Sequence, residues 1–255
     1  MEETTQENKP EDKMNTINTS PQSAPRTSFT NQSQITGAII LAALIIGGAI
    51  LLRGSTPLSD TAQNNQNNTA NLPSANMRAV SADEHITGNV NARVVIVEYS
   101  DLECPYCKVF HYTMRKVLEN NQNVAWVFRH YPIPQLHAKA TREAEATECA
   151  WEQGGNTAFW KYVDRVFEVT TSNDGLPDAE LPKIAAYIGL NETSFSSCLS
   201  SGKYASKVEA DVSDGRNMGV NGTPSSFILL NGKIVDTIPG AQPYEVVMKA
   251  LSEIK

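Results

Sequence analysis

The chain has 255 residues, 28 of them acidic and 21 basic, for a net charge of −7, with 40% hydrophobic and 7% aromatic residues. That balance excludes a protein whose work is neutralising phosphates, so nucleic-acid binding is set aside. Four cysteines are too few for a small disulfide scaffold, and the absence of a fixed-period repeat excludes a solenoid.

Residues 1–34 are rich in Asn, Thr, Ser, Gln and Glu, with too little apolar surface to offset chain entropy, and read as a disordered polar tail. Residues 35–52 form an uncharged run from Ile35 to Leu52. As a helix it would span roughly 27 Å, close to the hydrocarbon core of a bilayer. A buried core helix fits poorly, because polar sequence lies on both sides. A cleaved signal peptide fits less well than a permanent signal anchor: the preceding segment is long and acidic, and no A-x-A site follows Leu52. The expectation is one transmembrane helix. Lys9, Lys13 and Arg26 before it and Arg53 after it barely discriminate its orientation. Residues 53–80, with Asn64, Asn65, Asn67 and Asn68, read as a flexible linker.

From residue 81 to 255 the pattern is globular. Arg93–Ser100 is a β-branched run short enough for a buried strand. It leads into Cys104-Pro105-Tyr106-Cys107, after which Phe110, Met114, Val117 and Leu118 mark one helical face, with Pro105 at the first helical position. Val124–Tyr131 is a second strand stopped by Pro132 and Pro134, completing a βαβ unit with parallel strands. Residues 135–218 read as helical: Leu136–Gln153 ending at Gly154-Gly155, Ala158–Val169, then stretches near Leu181–Ile188 and Thr193–Met218. Ser225–Leu230 and Lys233–Ile238 flank Asn231-Gly232, a type I′ hairpin turn, and Pro243–Ile254 closes the chain as an amphipathic helix.

A cysteine pair three positions apart is half a zinc site, an inert pair or a redox dithiol. Zinc would need more ligands, yet there is no second C-x-x-C, and His85, His111, His130 and His137 show no i, i+4 pairing. The position where a strand turns into a helix favours the redox reading. There the unpaired N–H groups and the helix dipole stabilise a Cys104 thiolate, which becomes the nucleophile, with Cys107 one turn in as the resolving thiol. Asp101 and Glu103 oppose this, since nearby negative charge raises a thiol pKa. Cys149 and Cys198 both fall in the helical block and are expected to form a structural disulfide, the alternative being two inert thiols. His130 and His137 are expected to cap or pack. Tyr106 is expected to rest over Cys104 and to contact substrate.

Val97-Glu98-Tyr99-Ser100-Asp101, the C-P-Y-C motif, Phe128-Arg129-His130-Tyr131-Pro132 and Gly219-Val220-Asn221-Gly222-Thr223-Pro224 together resemble the DsbA-like extracytoplasmic branch of the thiol–disulfide oxidoreductases. The resemblance covers roughly Asp83–Ile254. It implies an α/β thioredoxin-like fold whose βαβ and ββα halves are separated by a helical insertion at about 135–218. It also implies that Pro224 is a cis-proline facing the cysteines, leaving Thr223 to pair with an extended substrate. Glu98 becomes a buried acid that relays a proton near Cys107. No cofactor is implied beyond a redox-active Cys104–Cys107 disulfide, and no metal. The expected function is a membrane-anchored enzyme that donates this disulfide to reduced or misoxidised secreted proteins and is regenerated by a membrane quinone-linked oxidase of the DsbB type. Disulfide donation places the domain outside the cytoplasm. It is expected to be monomeric, because residues 54–80 are too short and polar for the dimerisation domain of an isomerase. An isomerase or reductase on the same fold is the alternative, and a non-catalytic polypeptide-holding module is a more distant one.

Overall fold

The computed structural model describes residues 77–254. The expected tail, the transmembrane helix and most of the linker lie outside the described residues, and among those described no helix is long and apolar enough to cross a membrane. The elements are β1 (His85–Gly88), β2 (Val94–Ser100), α1 (Pro105–Asn120), β3 (Val124–His130), α2 (Ala140–Val169), α3 (Glu180–Tyr187), α4 (Glu192–Ser201), α5 (Ala205–Asn217), β4 (Ser225–Leu230), β5 (Lys233–Pro239) and α6 (Tyr244–Glu253).

The five strands form one sheet in the order β1-β3-β2-β4-β5. β2 and β3 are parallel, joined through α1, and all other neighbours are antiparallel. This is the expected thioredoxin-like α/β arrangement, with α2 to α5 inserted between β3 and β4. The two strand faces bury different clusters. Ile96, Trp126, Phe128 and Ile228 pack with Phe110 and Met114 of α1, Phe159 and Val163 of α2, and Val247 of α6. Val97, Tyr99, Val127 and Phe227 pack with Val212 of α5 and with Met218 and Val220. Alternate residues of β2 and β3 therefore serve opposite faces, as the pleat requires.

Three expectations need correction. β1 was not foreseen; it pairs antiparallel with β3, His85 opposite Phe128. The helix expected from Leu136 starts only at Ala140 because Leu136 and His137 turn back onto the Ile133 carbonyl. The two helices expected on either side of Gly154-Gly155 are both present and meet at a kink within α2: Gly155 adopts φ 60° and ψ −154°, a backbone that glycine takes without a Cβ clash. The stretch Thr193–Met218 is two helices, separated at Gly202. The hairpin turn is as read, with Asn231 at φ 51° and Gly232 at φ 78°.

Candidate active site

β2 delivers the chain to the C-terminal edge of the sheet, where α1 begins at Pro105 with Cys104 as its N-cap in an extended conformation. Cys104 and Cys107 are both free thiols and both buried. The Thr223–Pro224 bond is cis, and it brings the Thr223 carbonyl to 3.5 Å from the Cys104 sulfur. The site is thus assembled from the start of α1 and the entry to β4, far apart in sequence.

The two sulfurs have opposite acidities. The Cys107 thiol donates to the Cys104 sulfur. Burial resists ionisation of Cys104, but the Cys107 N–H, Thr223 and the Tyr106 N–H also favour the anion, so the thiol falls from 9.0 to about 6. The Thr223 hydroxyl is buried and has no hydrogen-bond partner among the described residues. Cys107 is fully buried, and burial together with the charges of Cys104 and Glu98 pushes it well above the ordinary value. Its sulfur accepts the Asp101 N–H at 3.4 Å.

Glu98 is fully buried on the same sheet face as Ser100. The Trp126 indole N–H donates to Glu98 Oε2 at 2.9 Å, and Oε1 has no partner among the described residues. Burial raises this carboxyl to about 7, against the opposing pull of Ser100 and Trp126. A group half-protonated near neutrality beside a high-pKa thiol is equipped to pass a proton either way.

Cys104 is lowered overall in spite of the neighbouring Asp101 and Glu103. Both acids are engaged elsewhere. Asp101 accepts from the Glu103 N–H (2.9 Å), the Ile133 N–H (2.8 Å) and His137 Nδ1 (2.9 Å), fastening the segment after β3 across the site. Burial disfavours a charged His137, but Asp101 outweighs it and raises the imidazole. Glu103 accepts the Gly175 and Leu176 N–H groups at 3.2 and 3.3 Å. Beside it, Glu143 of α2 is pushed up to about 10 by burial and by hydrogen bonding to Glu103.

The remaining expected residues are placed as follows. Tyr106 is 67% exposed, and its N–H favours the Cys104 anion. Cys149 of α2 and Cys198 of α4 form a disulfide within the insertion. His130 packs against Glu148 of α2, Nε2 to Oε1 at 3.2 Å. His85 and Glu148 join it, their ligand-type atoms all within 4.8 Å of one another. Lys207 Nζ lies 2.7 Å from Glu148 Oε2 and 3.2 Å from His85 Nε2, so the protein's own ammonium supplies the positive charge there.

Trp126 and Glu143 were not singled out in the sequence, and the buried Arg129, quoted only within a motif, was given no role of its own. Trp126 shares the Glu98 face because Ile96 stands opposite it in the β2–β3 register. A tryptophan in the strand parallel to one that carries a lone buried acid was the available signal.

Residues 81–251 match the family model described as Thioredoxin. The Na(+)/H(+) antiporter NhaA 3 of Salinispora tropica is 35% identical over 150 residues, 59% of this chain and 22% of that protein. NhaA of Herminiimonas arsenicoxydans is 31% identical over 162 residues, 63% of this chain and 25% of that protein. The chain thus spans about a quarter or less of these curated relatives. Among solved structures, DsbA2 of Pseudomonas aeruginosa is 29% identical with a TM-score of 0.60, covering 69% of this chain and 96% of that one. BdbD of Bacillus subtilis, 21% identical, shares the fold with a TM-score of 0.60 over 70% of this chain and 97% of that one. The chain therefore belongs to the thioredoxin family, and its fold is DsbA-like.

Proposed function

We propose that the chain is a dithiol oxidase that donates a Cys104–Cys107 disulfide to folding proteins outside the cytoplasm. The observation that carries this reading is the acidity difference between the two thiols, Cys104 lowered to about 6 and Cys107 raised. A substrate thiolate attacks Cys104 Sγ. The Cys104–Cys107 bond breaks, and Cys107 leaves as a thiolate and takes a proton from Glu98. The substrate's second thiolate then attacks the substrate sulfur of the mixed disulfide, and Cys104 departs as a stable anion. The substrate is oxidised by two electrons and the enzyme reduced by two. A low pKa at the departing sulfur favours this direction. Thr223, next to Cys104 across the cis bond, supports pairing with an extended substrate segment.

Regeneration is proposed to draw on a membrane oxidase of the quinone-linked DsbB type, with residues 35–52 as the anchor that keeps the domain within reach. The apolar, uncharged composition of that run supports the anchor. The antiport named for the curated relatives is not carried over, because the first of them is matched over only 22% of its length.

The test mixes the oxidised chain with a stoichiometric amount of a reduced, unfolded dithiol protein. The expected result is substrate disulfide formation matched by loss of the Cys104–Cys107 bond, absent in Cys104→Ser. A chain that reduces insulin but does not oxidise this substrate is a reductase or isomerase instead.

A further inference from the structure

We infer that Trp126 is a positioning residue for the reaction, fixing Glu98 by one carboxyl oxygen so that the other remains free to exchange a proton with Cys107. The inference rests on the proposed role of Glu98 and extends it to a residue that otherwise reads as core.

The Trp126 indole N–H reaches Oε2 at 2.9 Å while Oε1 is buried without a partner. The indole bond to Oε2 restricts rotation of the carboxyl, while the unpartnered Oε1 leaves an oxygen with open lone pairs for a moving proton. The indole itself is held. Trp126 is fully buried, its ring 4.6 Å from that of Trp160 on α2 and 5.3 Å from His111 on α1. The Arg115 guanidinium lies 5.7 Å from the Trp126 ring and 4.9 Å from the Trp160 ring. Asp164 of α2 anchors both basic side chains, His111 Nε2 at 2.7 Å and Arg115 Nε at 2.8 Å. The insertion therefore sets the indole that sets the acid.

The groups facing Glu98 are Ser100 on its own strand, Cys104 and Cys107 at the start of α1, and Trp126 from β3. Those facing Trp126 are His111 and Arg115, with Asp164 behind them. Burial lowers His111, so it stays neutral above its ordinary range and does not mimic a Glu98 titration near 7. A donor aimed at a carboxylate favours the ionised form, so removing it moves the Glu98 titration upward.

The experiment follows reduction of the oxidised chain by dithiothreitol from pH 5 to 9, quenched with a maleimide and expressed per reductant thiolate. In this step a thiolate attacks Cys104, and the departing Cys107 takes the Glu98 proton, so the rate falls as Glu98 ionises. The wild type is expected to show an inflection at or below about 7, since the oxidised chain lacks the Cys104 charge that helps raise Glu98. Trp126→Phe moves it up by about one pH unit, the effect of losing one hydrogen bond to a charged group. Glu98→Gln loses the inflection, and the double variant behaves as Glu98→Gln alone. If Glu98→Gln keeps the wild-type inflection, the proton-relay reading fails and takes the inference with it. If Glu98→Gln loses it while Trp126→Phe keeps the wild-type position, only the Trp126 inference is overturned. Should Trp126→Phe fail to fold, the indole N–H resonance of Trp126 in the otherwise unaltered chain gives the answer. It must shift with an inflection near 7 and stop shifting in Glu98→Gln; a resonance indifferent to pH overturns the inference.

Discussion

A thiol that ionises near pH 6 beside one that stays protonated changes how many protons accompany each electron pair. Below that pH, reducing the disulfide takes up two protons; above it, Cys104 remains an anion and one proton suffices. The reduction potential of the Cys104–Cys107 couple is therefore expected to fall by about 60 mV per pH unit below pH 6 and by about 30 mV above it. Equilibration with glutathione buffers measures this, and a slope near 60 mV continuing to pH 8 contradicts it. Stability follows the same sign. The folded pKa of Cys104 lies below its ordinary value, so the contribution is complete above pH 9 and is lost as pH falls through about 6. At pH 7 it amounts to about 1.4 kcal/mol, or about 30 mV in favour of the reduced state.

At the scale of elements, the insertion is joined to the reacting turn through buried acids. Glu103 precedes Cys104 and accepts two backbone N–H groups from the loop after α2, and its main-chain carbonyl accepts a third, from Asn173. Glu143 on α2 is raised to about 10, so between its ordinary pKa and that value the folded protein keeps a proton that the unfolded chain releases. Stability is then highest in acid and falls as pH rises, by up to about 1.4 kcal/mol per pH unit from this group. Glu143→Gln, whose amide can still donate to Glu103, is expected to match the wild type in urea near pH 4.5 and to exceed it at pH 8. An unchanged gap across that range excludes the shared proton. The strands and helices were largely readable because their periodicities are strong. β1 was not, since His85-Ile86-Thr87-Gly88 is too short for alternation to show, and β3 organises it from outside. The late start of α2 was hidden for a related reason: Asp101, distant in sequence, captures Ile133 and His137.

Across the whole molecule, the two faces of the sheet divide the labour. One carries the thiols, Glu98 and the aromatic contacts to α2; the other buries an ion cluster. Arg129, fully buried, pairs with Asp214 of α5 at 2.6 Å and with Glu84 at 2.8 Å, while Arg78 reaches Glu84 and Asp211. This binds the segment before β1, β3 and the end of the insertion into one unit. Arg129→Met leaves buried Asp214 without a cation and Glu84 with only the half-exposed Arg78, and is expected to destabilise by about 3–5 kcal/mol. Because the cluster faces away from the thiols, the Cys104 titration of that variant should stay with the wild type's; a melt unaltered by the change refutes the role given to Arg129. The order βαβ, helical block, ββα was legible from the sequence, as were the cysteine pair, Thr223, Pro224 and the Cys149–Cys198 pairing. The acid pair and the ion cluster were not, because each joins residues of separate elements whose register only the folded sheet defines. The most direct measurement is the thiolate absorbance at 240 nm of the reduced chain against pH, with Cys104→Ser as the blank. An inflection near pH 6 that the blank lacks is expected; a single rise near the pKa of free cysteine, about 8.5, would contradict a stabilised Cys104 thiolate.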